Sequence, residues 1–173
     1  GSTPAASGGV GAGAWVDQSD VTLRSELSTG DASLVGYLPF GLNAVHRTLR
    51  SKVGESVSVA DFGAVGDGVT NDSTAIQAAI NYAATLGAGS VYFPYSANGY
   101  YIATTLIVKN NVKLYSDHYT SAYILVKTDM EAITSDSSTT STQLWNFEMS
   151  DMAVWNTFTG ARTKYDIHLY TPN

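Results

Sequence analysis

The sequence predicts a mainly β protein in which one amphipathic helix covers the end of a stack of short strands. Apolar residues recur at helical spacing over residues 76–86. Beyond Pro94, short β-type runs are separated by turns rich in Asn, Asp, Ser and Thr, which favours stacked strands over alternating strands and helices. The preceding residues, 15–56, have a different pattern that predicts a short helical segment.

Composition limits the classes of protein that fit. A chain of 173 residues is long enough for one domain with a core, or for a domain and an appendage. Its net charge of −6 argues against a nucleic-acid partner. The absence of cysteine excludes disulfides and thiolate zinc sites, and no cofactor is predicted. The sequence contains neither a signal peptide nor an apolar run of about 18 residues, the length needed to span a bilayer.

Residues 1–14 predict a flexible leader. They are mostly Gly, Ala and Ser and show no periodicity. Gly1 and Ser2 are typical of the remnant of a cleaved tag, which indicates that the rest was cut from a longer protein.

Residues 15–56 predict two short helices. The first follows Asp20, and the second is capped by Asn43 and ends at Gly54. Isolated helices shorter than about 12–15 residues are marginal in water, so both must pack on the strand stack or on other copies of the chain. The apolar face of the second helix consists of Leu42, Val45, Leu49 and Val53.

Residues 57–94 predict a strand, a glycine-rich turn, the amphipathic helix and a second strand at 90–94. Asp72 can cap the helix, although Thr74 and Gln77 offer a competing capping box, and Gly87 can end it. A single helix with one apolar stripe needs a surface to lie on, and only the strand stack can provide it. The stripe consists of Ile76, Ala79, Ile80, Ala83 and Leu86.

The turn before the helix has three interpretations. A phosphate-binding loop lacks the expected Lys-Ser/Thr ending, and a calcium loop lacks EF-hand spacing and a terminal Glu. We therefore favour turns closed by Asp and Asn side chains, with glycines at positions of positive φ.

The run D-F-G-A-V-G-D-G-V-T-N-D-S-T-A-I-Q-A-A-I, residues 61–80, closely resembles the opening of the pectate-lyase-like superfamily of right-handed parallel β-helices. That superfamily includes polysaccharide lyases, glycoside hydrolases, alginate epimerases and phage tailspikes. The resemblance implies that residues 61–86 form an N-terminal cap and that the first coil begins at 88–94, so that 57–173 form cap and coils. The cap and turn residues it singles out are Asp61, Gly63, Gly66, Asp67, Gly68, Asn71, Asp72, Ile76 and Ile80.

The preceding residues resemble the neck of phage tailspikes. The resemblance rests on L-R-S-E-L-S-T-G-D-A-S-L-V-G-Y-L-P, residues 23–39, and V-H-R-T-L-R-S-K-V-G-E-S-V-S-V-A-D-F-G-A-V-G-D-G, residues 45–68. It implies a homotrimer on the virion tail, joined upstream to a tail or baseplate protein. The candidates for contacts between chains, each equally compatible with packing inside one chain, are Trp15, Leu34, Tyr37, Leu38, Phe40 and Leu42.

After Pro94 the sequence predicts seven further strands and one long loop. Asn110, Asn111 and Asn146 occupy positions where β-helices place turn asparagines that bond along the stack, while 134–142 is too polar for a strand and predicts a protruding loop. The predicted strands are 100–103, 105–108, 112–115, 122–126, 144–148, 152–155 and 167–170.

Catalysis on polysaccharides needs two carboxylates about 5–10 Å apart, or a base with a charge-neutralising partner. Stacked strands lie about 4.8 Å apart, so carboxylates on neighbouring coils could pair, but the register is not readable from the sequence. Each acidic residue also fits a solvated turn, His46 fits a surface position, and no metal-ligand spacing is present. The weak catalytic candidates are Asp117, His118, Glu148 and Asp151, with Asp129, Glu131, Asp166 and His168 behind them.

These observations lead to one functional expectation and two alternatives. We expect the N-terminal part of a tailspike that binds and depolymerises bacterial surface polysaccharide by hydrolysis or β-elimination. Because 171–173 bring no structure that would close the far end of a stack, we expect a fragment whose parent carries the catalytic groove elsewhere. The alternatives are a non-catalytic trimerisation and attachment module, and a free-standing bacterial lyase or epimerase.

Overall fold

The computed structural model describes residues 35–87, 89–135, 144, 146–164 and 166–169, together with residues 24, 25, 28 and 30. The chain divides into two compact units whose border lies between Glu55 and Ser56. The predicted leader and the interface candidates Trp15 and Leu34 lie outside the described residues.

Unit 1 contains a two-stranded antiparallel ladder and a short helix. Strand β1 (Gly36–Tyr37) pairs with β2 (Arg47–Thr48), and helix α1 (Leu49–Val53) follows directly. Thr48 caps α1, because its hydroxyl accepts a hydrogen bond from the backbone N–H of Ser51 at 3.1 Å.

The second predicted helix begins at Leu49 rather than after Asn43, and it ends at Gly54 as predicted. Asn43 has a left-handed φ of 65°, and α1 spans five residues from Leu49. Leu42 and Val45 precede the helix and are exposed, because the backbone of 47–48 forms a strand ladder with β1. The other predicted helix, after Asp20, lies almost entirely outside the described residues.

The described part of unit 2 contains three parallel sheets. Sheet 1 has the order β3, β4, β7, β10; sheet 2 has β5, β8, β11; sheet 3 has β6, β9, β12. Consecutive strands pass from one sheet to the next, which is the arrangement of a parallel β-helix. The strands are β3 (Val57–Ser58), β4 (Gly89–Tyr92), β5 (Tyr100–Ile102), β6 (Leu106–Val108), β7 (Val112–Tyr115), β8 (Tyr123–Val126), β9 (Ile133–Ser135), β10 (Glu148–Ser150), β11 (Ala153–Asn156) and β12 (Ile167–His168).

The core lies inside the coil and is lined by alternate residues of each strand. Val91 lies beside Leu114 in sheet 1, Ile102 beside Val126 in sheet 2, and Leu106 beside Ile133 in sheet 3. These six side chains are fully buried, whereas the residues between them point outward. Each sheet therefore has one face buried in the core and one face directed outward. The six are Val91, Ile102, Leu106, Leu114, Val126 and Ile133.

Two predicted boundaries were wrong, the start of a loop and the start of a strand. The polar run predicted as a loop from residue 134 begins inside β9, where Thr134 and Ser135 pair with Ile107 and Val108. The strand predicted at 144–148 instead begins at Glu148. In both places pairing with an existing parallel strand overrides local polarity, which no single stretch of sequence reveals.

Helix α2 (Ser73–Thr85) closes the first coil. The predicted stripe is confirmed for Ile76, Ala79, Ile80 and Ala83, which are fully buried among core residues. Leu86, the fifth predicted member, is 48% exposed because the helix ends at Thr85 and Gly87 turns the chain away with a φ of 81°.

The cap also satisfies the free edges of the first coil, where unpaired backbone groups would otherwise face solvent or other chains. The side chain of Gln77 accepts from the N–H of Ile107 at 2.7 Å and donates to its carbonyl at 2.9 Å, on the edge strand β6. On the edge strand β5, the carbonyl of Tyr101 accepts from the N–H of Asp72 at 2.8 Å. The Gln77 side chain thus forms hydrogen bonds with the sheet edge and does not form the predicted capping box with Thr74.

Asp72 occupies the N-cap position of α2, but its side chain does not cap the helix as predicted. Its carboxylate is 1% exposed and accepts hydrogen bonds from the N–H groups of Val65 and Gly66 at 2.8 and 3.0 Å. Asn71 takes over the helix end by accepting from the N–H of Ser73 at 3.2 Å. The Asp72 carboxylate therefore stabilises the turn before the helix rather than the helix itself.

The turn interpretation of the remaining cap residues is confirmed. Asp67 accepts from the N–H groups of Thr70 and Val69, and the first of these bonds is the main cause that lowers the pKa of its carboxyl. Asp61 accepts from the N–H of Ser58 at 3.1 Å and completes a capping box. The three turn glycines have left-handed φ values of 90°, 68° and 72°; they are Gly63, Gly66 and Gly68.

Candidate functional site

The outer face of sheet 1 carries a shallow polar depression of ≈ 280 Å³. Its floor is formed by outward residues of three neighbouring strands, so that the backbone ladder fixes their positions. Hydroxyl, amide, ammonium and carboxylate groups converge there, which is the set of donors and acceptors that sugar hydroxyls require. The polar depression is lined by Gly89, Ser90, Asn111, Lys113, Asn146 and Glu148.

A charge pair crosses the polar depression. Ser90, Lys113 and Glu148 align across β4, β7 and β10, and the Lys113 ammonium lies 2.7 Å from the Glu148 carboxylate. Both side chains are partly exposed, and a pair of this kind adds about 0–1 kcal/mol to stability. Little free energy therefore opposes its rearrangement around a ligand.

Two turn asparagines border the polar depression. Asn111 and Asn146 both have left-handed backbones, with φ of 58° and 53°. The amide of Asn146 donates to the side-chain oxygen of Asn111 at 3.0 Å. The predicted asparagine contact along the stack is confirmed for this pair.

A column of hydroxyl and phenol groups runs along the opposite margin of the same face. The rings of Tyr92 and Tyr115 lie 5.3 Å apart, and the hydroxyls of Tyr115 and Ser56 are 3.2 Å apart. Tyr92 donates to the carboxylate of Asp117 at 2.6 Å, and this bond raises the pKa of the phenol. Tyr92 therefore remains a protonated donor throughout the neutral range.

The structure brings three of the four weak catalytic candidates to one end of sheet 1. Asp117 and His118 follow β7, and Asp151 follows β10, the strand paired with β7. The Ser116 hydroxyl bonds to the backbone carbonyl of Asp151, which joins the two turns. Glu148 lies at the opposite end of β10 from Asp151. Each residue along a strand adds about 3.3 Å to the distance between them.

Three of these four side chains have a hydrogen-bond or ion-pair partner in the structure. Asp117 accepts from Tyr92, His118 lies 2.9 Å from the hydroxyl of Thr120, and Glu148 pairs with Lys113. These contacts describe a polar, hydrogen-bonded surface and do not by themselves define an acid, a base or a nucleophile.

The other acidic candidates hold turns together. Asp129 accepts from the hydroxyl and N–H of Thr163, and the hydroxyl bond is the main cause that lowers its pKa. Asp166 pairs with Arg162, which lowers the pKa of its carboxyl. Glu131 directly precedes the turn into β9, and His168 ends β12.

Among the described residues, no group of three or more His, Cys, Asp or Glu side chains has the arrangement of a metal site. In the same part of the chain, no helix combines the length and apolarity that a membrane crossing requires.

The interface candidates among the described residues of unit 1 are mostly solvent-exposed. Leu38 is 61% exposed, Leu42 is 96% exposed and Phe40 is fully exposed, whereas Tyr37 is half-buried. An apolar set of this kind on a small unit is typical of an interaction surface.

The profile of the rhamnogalacturonase A/epimerase, pectate lyase-like family matches residues 56–167. This match covers more than half of the chain and coincides with the cap and coils described above. The chain therefore belongs to that family, and the predicted resemblance is confirmed.

Proteins similar to this chain include phage tailspikes, alginate-modifying enzymes and a streptococcal surface adhesin. Over 74 residues the chain is 39% identical to the tail spike protein of Shigella phage Sf6, covering 41% of this chain and 12% of that protein. Over 60 residues it is 50% identical to alginate lyase 7 of Azotobacter vinelandii, covering 32% of this chain and 7% of that protein. Tailspike protein 3 of bacteriophage CBA120 superimposes with a TM-score of 0.60 at 25% identity, covering 91% of this chain and 27% of that one.

The chain thus spans a small part of the length of these relatives.

Sequence reasoning missed the polar depression and the phenol column. Their members are far apart in the chain and meet only through the coil register, which joins Ser90 to Lys113 and Lys113 to Glu148. The two steps differ in length because the intervening turns differ, so no fixed period marks them. The asparagines 111 and 146 were the one usable signal, since their spacing of 35 residues equals the step from Lys113 to Glu148.

Proposed function

We propose that this chain is the N-terminal part of a phage tailspike that binds and depolymerises bacterial surface polysaccharide. In this proposal unit 2 supplies the cap and first coils of a right-handed β-helix, and the polar depression offers sugar-binding groups. The observation that carries it is the capped stack of parallel coils that matches a family of polysaccharide-acting proteins.

The similarity to a tail spike protein supports a location on the virion tail. The similarity to an alginate lyase supports a polysaccharide as the ligand, because that relative's name states its substrate. Hydrolysis and β-elimination both remain within the proposal, because the contacts of Asp117 with Tyr92 and of Glu148 with Lys113 define neither an acid nor a base.

The proposed parent is a homotrimer that joins a tail or baseplate protein upstream. This part of the proposal is supported by the exposed apolar residues of unit 1, which lie close together in the sequence. Burying such side chains contributes about 25 cal/mol per Å² of apolar surface removed from water. Copies of the same chain are the proposed occupant of this surface, as the tailspike resemblance implies.

Polysaccharide binding and cleavage can be tested together. The chain is incubated with purified capsular polysaccharide or lipopolysaccharide while bound polymer, new reducing ends and unsaturated uronates are followed. The proposal expects binding with neither cleavage signal, because the catalytic groove belongs to other parts of the parent. Failure to retain any preparation would contradict the proposal, and release of either signal would place catalysis in this chain.

Self-association can be tested by sedimentation equilibrium. We expect a trimer for the unmodified chain and dissociation when Leu38 and Leu42 are both changed to Asp. Val69→Asp is the matched control, because Val69 is an exposed aliphatic residue of unit 2. If the unmodified chain is a monomer at micromolar concentration, the interpretation of residues 15–56 as a trimeric neck is contradicted.

A further inference from the structure

The outer side of sheet 2 differs from that of sheet 1 because its outward residues are mainly aromatic. Tyr101, Leu125 and Trp155 align across β5, β8 and β11, and Tyr123 lies on the same side two residues before Leu125. Leu125 is buried at 8% exposure, and we call the three rings, Tyr101, Tyr123 and Trp155, the aromatic face. Their inward neighbours belong to the core, so the aromatic face is not needed to fill the coil.

The rings of the aromatic face are held in place before any ligand arrives. A Cβ atom added to Gly99 would lie 2.2 Å from the ring of Tyr123, so that ring lies directly against the backbone of the preceding coil. The Tyr123 hydroxyl donates to the carbonyl of Ala97 at 3.4 Å. Trp155 packs on Tyr123 with ring centroids 5.3 Å apart, yet remains 59% exposed.

One cation lies beside these rings. The Lys127 ammonium is 4.5 Å from the centre of the Tyr101 ring and donates to the carbonyl of Gly68 at 2.6 Å. These contacts fix its position on the outer side of sheet 2 while the side chain stays exposed. A positive group therefore lies on the same outer side of sheet 2 as an exposed indole ring, on a chain whose net charge is −6.

We propose that the aromatic face binds an acidic polysaccharide, with one sugar ring stacked on Trp155 and a carboxylate of the polymer directed to Lys127. This inference rests on the proposed function and assigns part of the binding to particular residues. Aromatic faces carry partial negative charge and attract the C–H groups on one side of a pyranose ring. Because the rings are already fixed, stacking costs little side-chain entropy.

A sugar fits this surface better than a second copy of the chain. The exposed apolar residues of unit 1 are largely aliphatic, as in Leu38 and Leu42, and suit protein packing. The aromatic face instead presents an exposed indole and phenol hydroxyls on the side of sheet 2 that also carries the Lys127 ammonium. Charge complementarity favours an anionic ligand, since the lysine is the ionised group that contacts these rings.

The experiment titrates the whole chain with two size-matched probes, a mannuronate hexasaccharide and a mannose hexasaccharide. They differ in whether each sugar carries a carboxylate. Binding is followed by ¹H–¹⁵N NMR, which resolves the indole N–H of Trp155, and Kd is measured for each probe. Trp155→Ala, Trp155→Phe and Lys127→Gln are compared with Tyr82→Ala, which removes a half-exposed ring from α2, away from sheet 2.

We expect the mannuronate probe to shift the Trp155 indole signal. Trp155→Ala should weaken binding of both probes about tenfold or more, the loss typical of an aromatic anchor, whereas Trp155→Phe retains most of it. Lys127→Gln should weaken only the mannuronate probe, by roughly two- to fivefold. Tyr82→Ala should bind as the unmodified chain does, and thermal melting shows that each variant is folded.

The outcomes separate this inference from the proposed function. Mannuronate binding that is unchanged in folded Trp155→Ala would overturn the aromatic face and leave polysaccharide binding in place. Equal weakening of both probes by Lys127→Gln would overturn the role of its charge. Failure of the mannuronate probe to bind at all would overturn the inference, and the retention assay with surface polysaccharides would then decide the proposed function separately.

Discussion

Replacing Gln77 by Leu tests how the cap closes the coil. Gln77 makes two hydrogen bonds to the backbone of Ile107, at 2.7 and 2.9 Å, on an edge strand. Leucine has nearly the same helix propensity and a similar size, so the substitution mainly removes these two bonds. Each hydrogen bond contributes about 0.5–1.5 kcal/mol net, and Ile107 is 38% exposed, so water replaces part of the loss. We expect unfolding free energy to fall by about 1–2 kcal/mol.

Two measurements check this prediction. Urea unfolding gives the change in free energy, and amide hydrogen exchange reports the N–H of Ile107 directly. In the unmodified chain that amide should be protected, although it lies on an edge strand, and in Gln77→Leu its protection should be largely lost. Asn81→Ala is the control, because Asn81 contacts Gln77 but not Ile107 and should change stability by less than about 0.5 kcal/mol. Unchanged protection of Ile107 in Gln77→Leu would refute the reasoning.

Three further predictions concern the core, the turn of the cap and a surface carboxylate. Ile80→Ala should cost about 2–5 kcal/mol in urea unfolding because the side chain is fully buried under the cap, and a loss below about 1 kcal/mol would mean that α2 does not close the core. Asp72→Ala leaves the N–H groups of Val65 and Gly66 without their partner and should cost about 2–4 kcal/mol in the same assay, whereas equal stability would contradict the turn assignment. The pKa of Asp129 is lowered in the folded chain, so its stabilising effect is present above the ordinary value of 3.8 and lost as pH falls through the folded pKa. Relative to its intrinsic exchange rate at each pH, the Thr163 amide should therefore lose protection as pH falls through the folded pKa, and Asp129→Asn should remove this pH dependence.

The cap was predictable because its signals are local. The spacing of Ile76, Ile80 and Ala83 follows from helix geometry, and the positive φ of Gly63 and Gly66 follows from the turn between two elements. Local signals did not predict the partners of Asp72 and Gln77, since a carboxylate or an amide at a helix start fits several hydrogen-bonding roles. The structure resolves these roles through backbone groups that belong to the turn and to β6.

The candidate surfaces could not be predicted in the same way. Ser90, Lys113 and Glu148 meet only when two coils of unequal length bring their strands into register, and nothing in any one stretch encodes that register. Trp155 was placed correctly in a strand, but its position beside Tyr123 depends on the ladder between β8 and β11 and on the absence of a side chain at Gly99.

The parallel stacking of coils underlies both the family assignment and the two surfaces proposed to bind sugars. Nuclear Overhauser contacts between backbone protons of Val91, Leu114 and Met149 test it most directly, because these residues are neighbours in sheet 1. We predict the staggered contacts of a parallel ladder, in the order β4, β7, β10. The paired close contacts of an antiparallel ladder, or contacts in another strand order, would contradict the account.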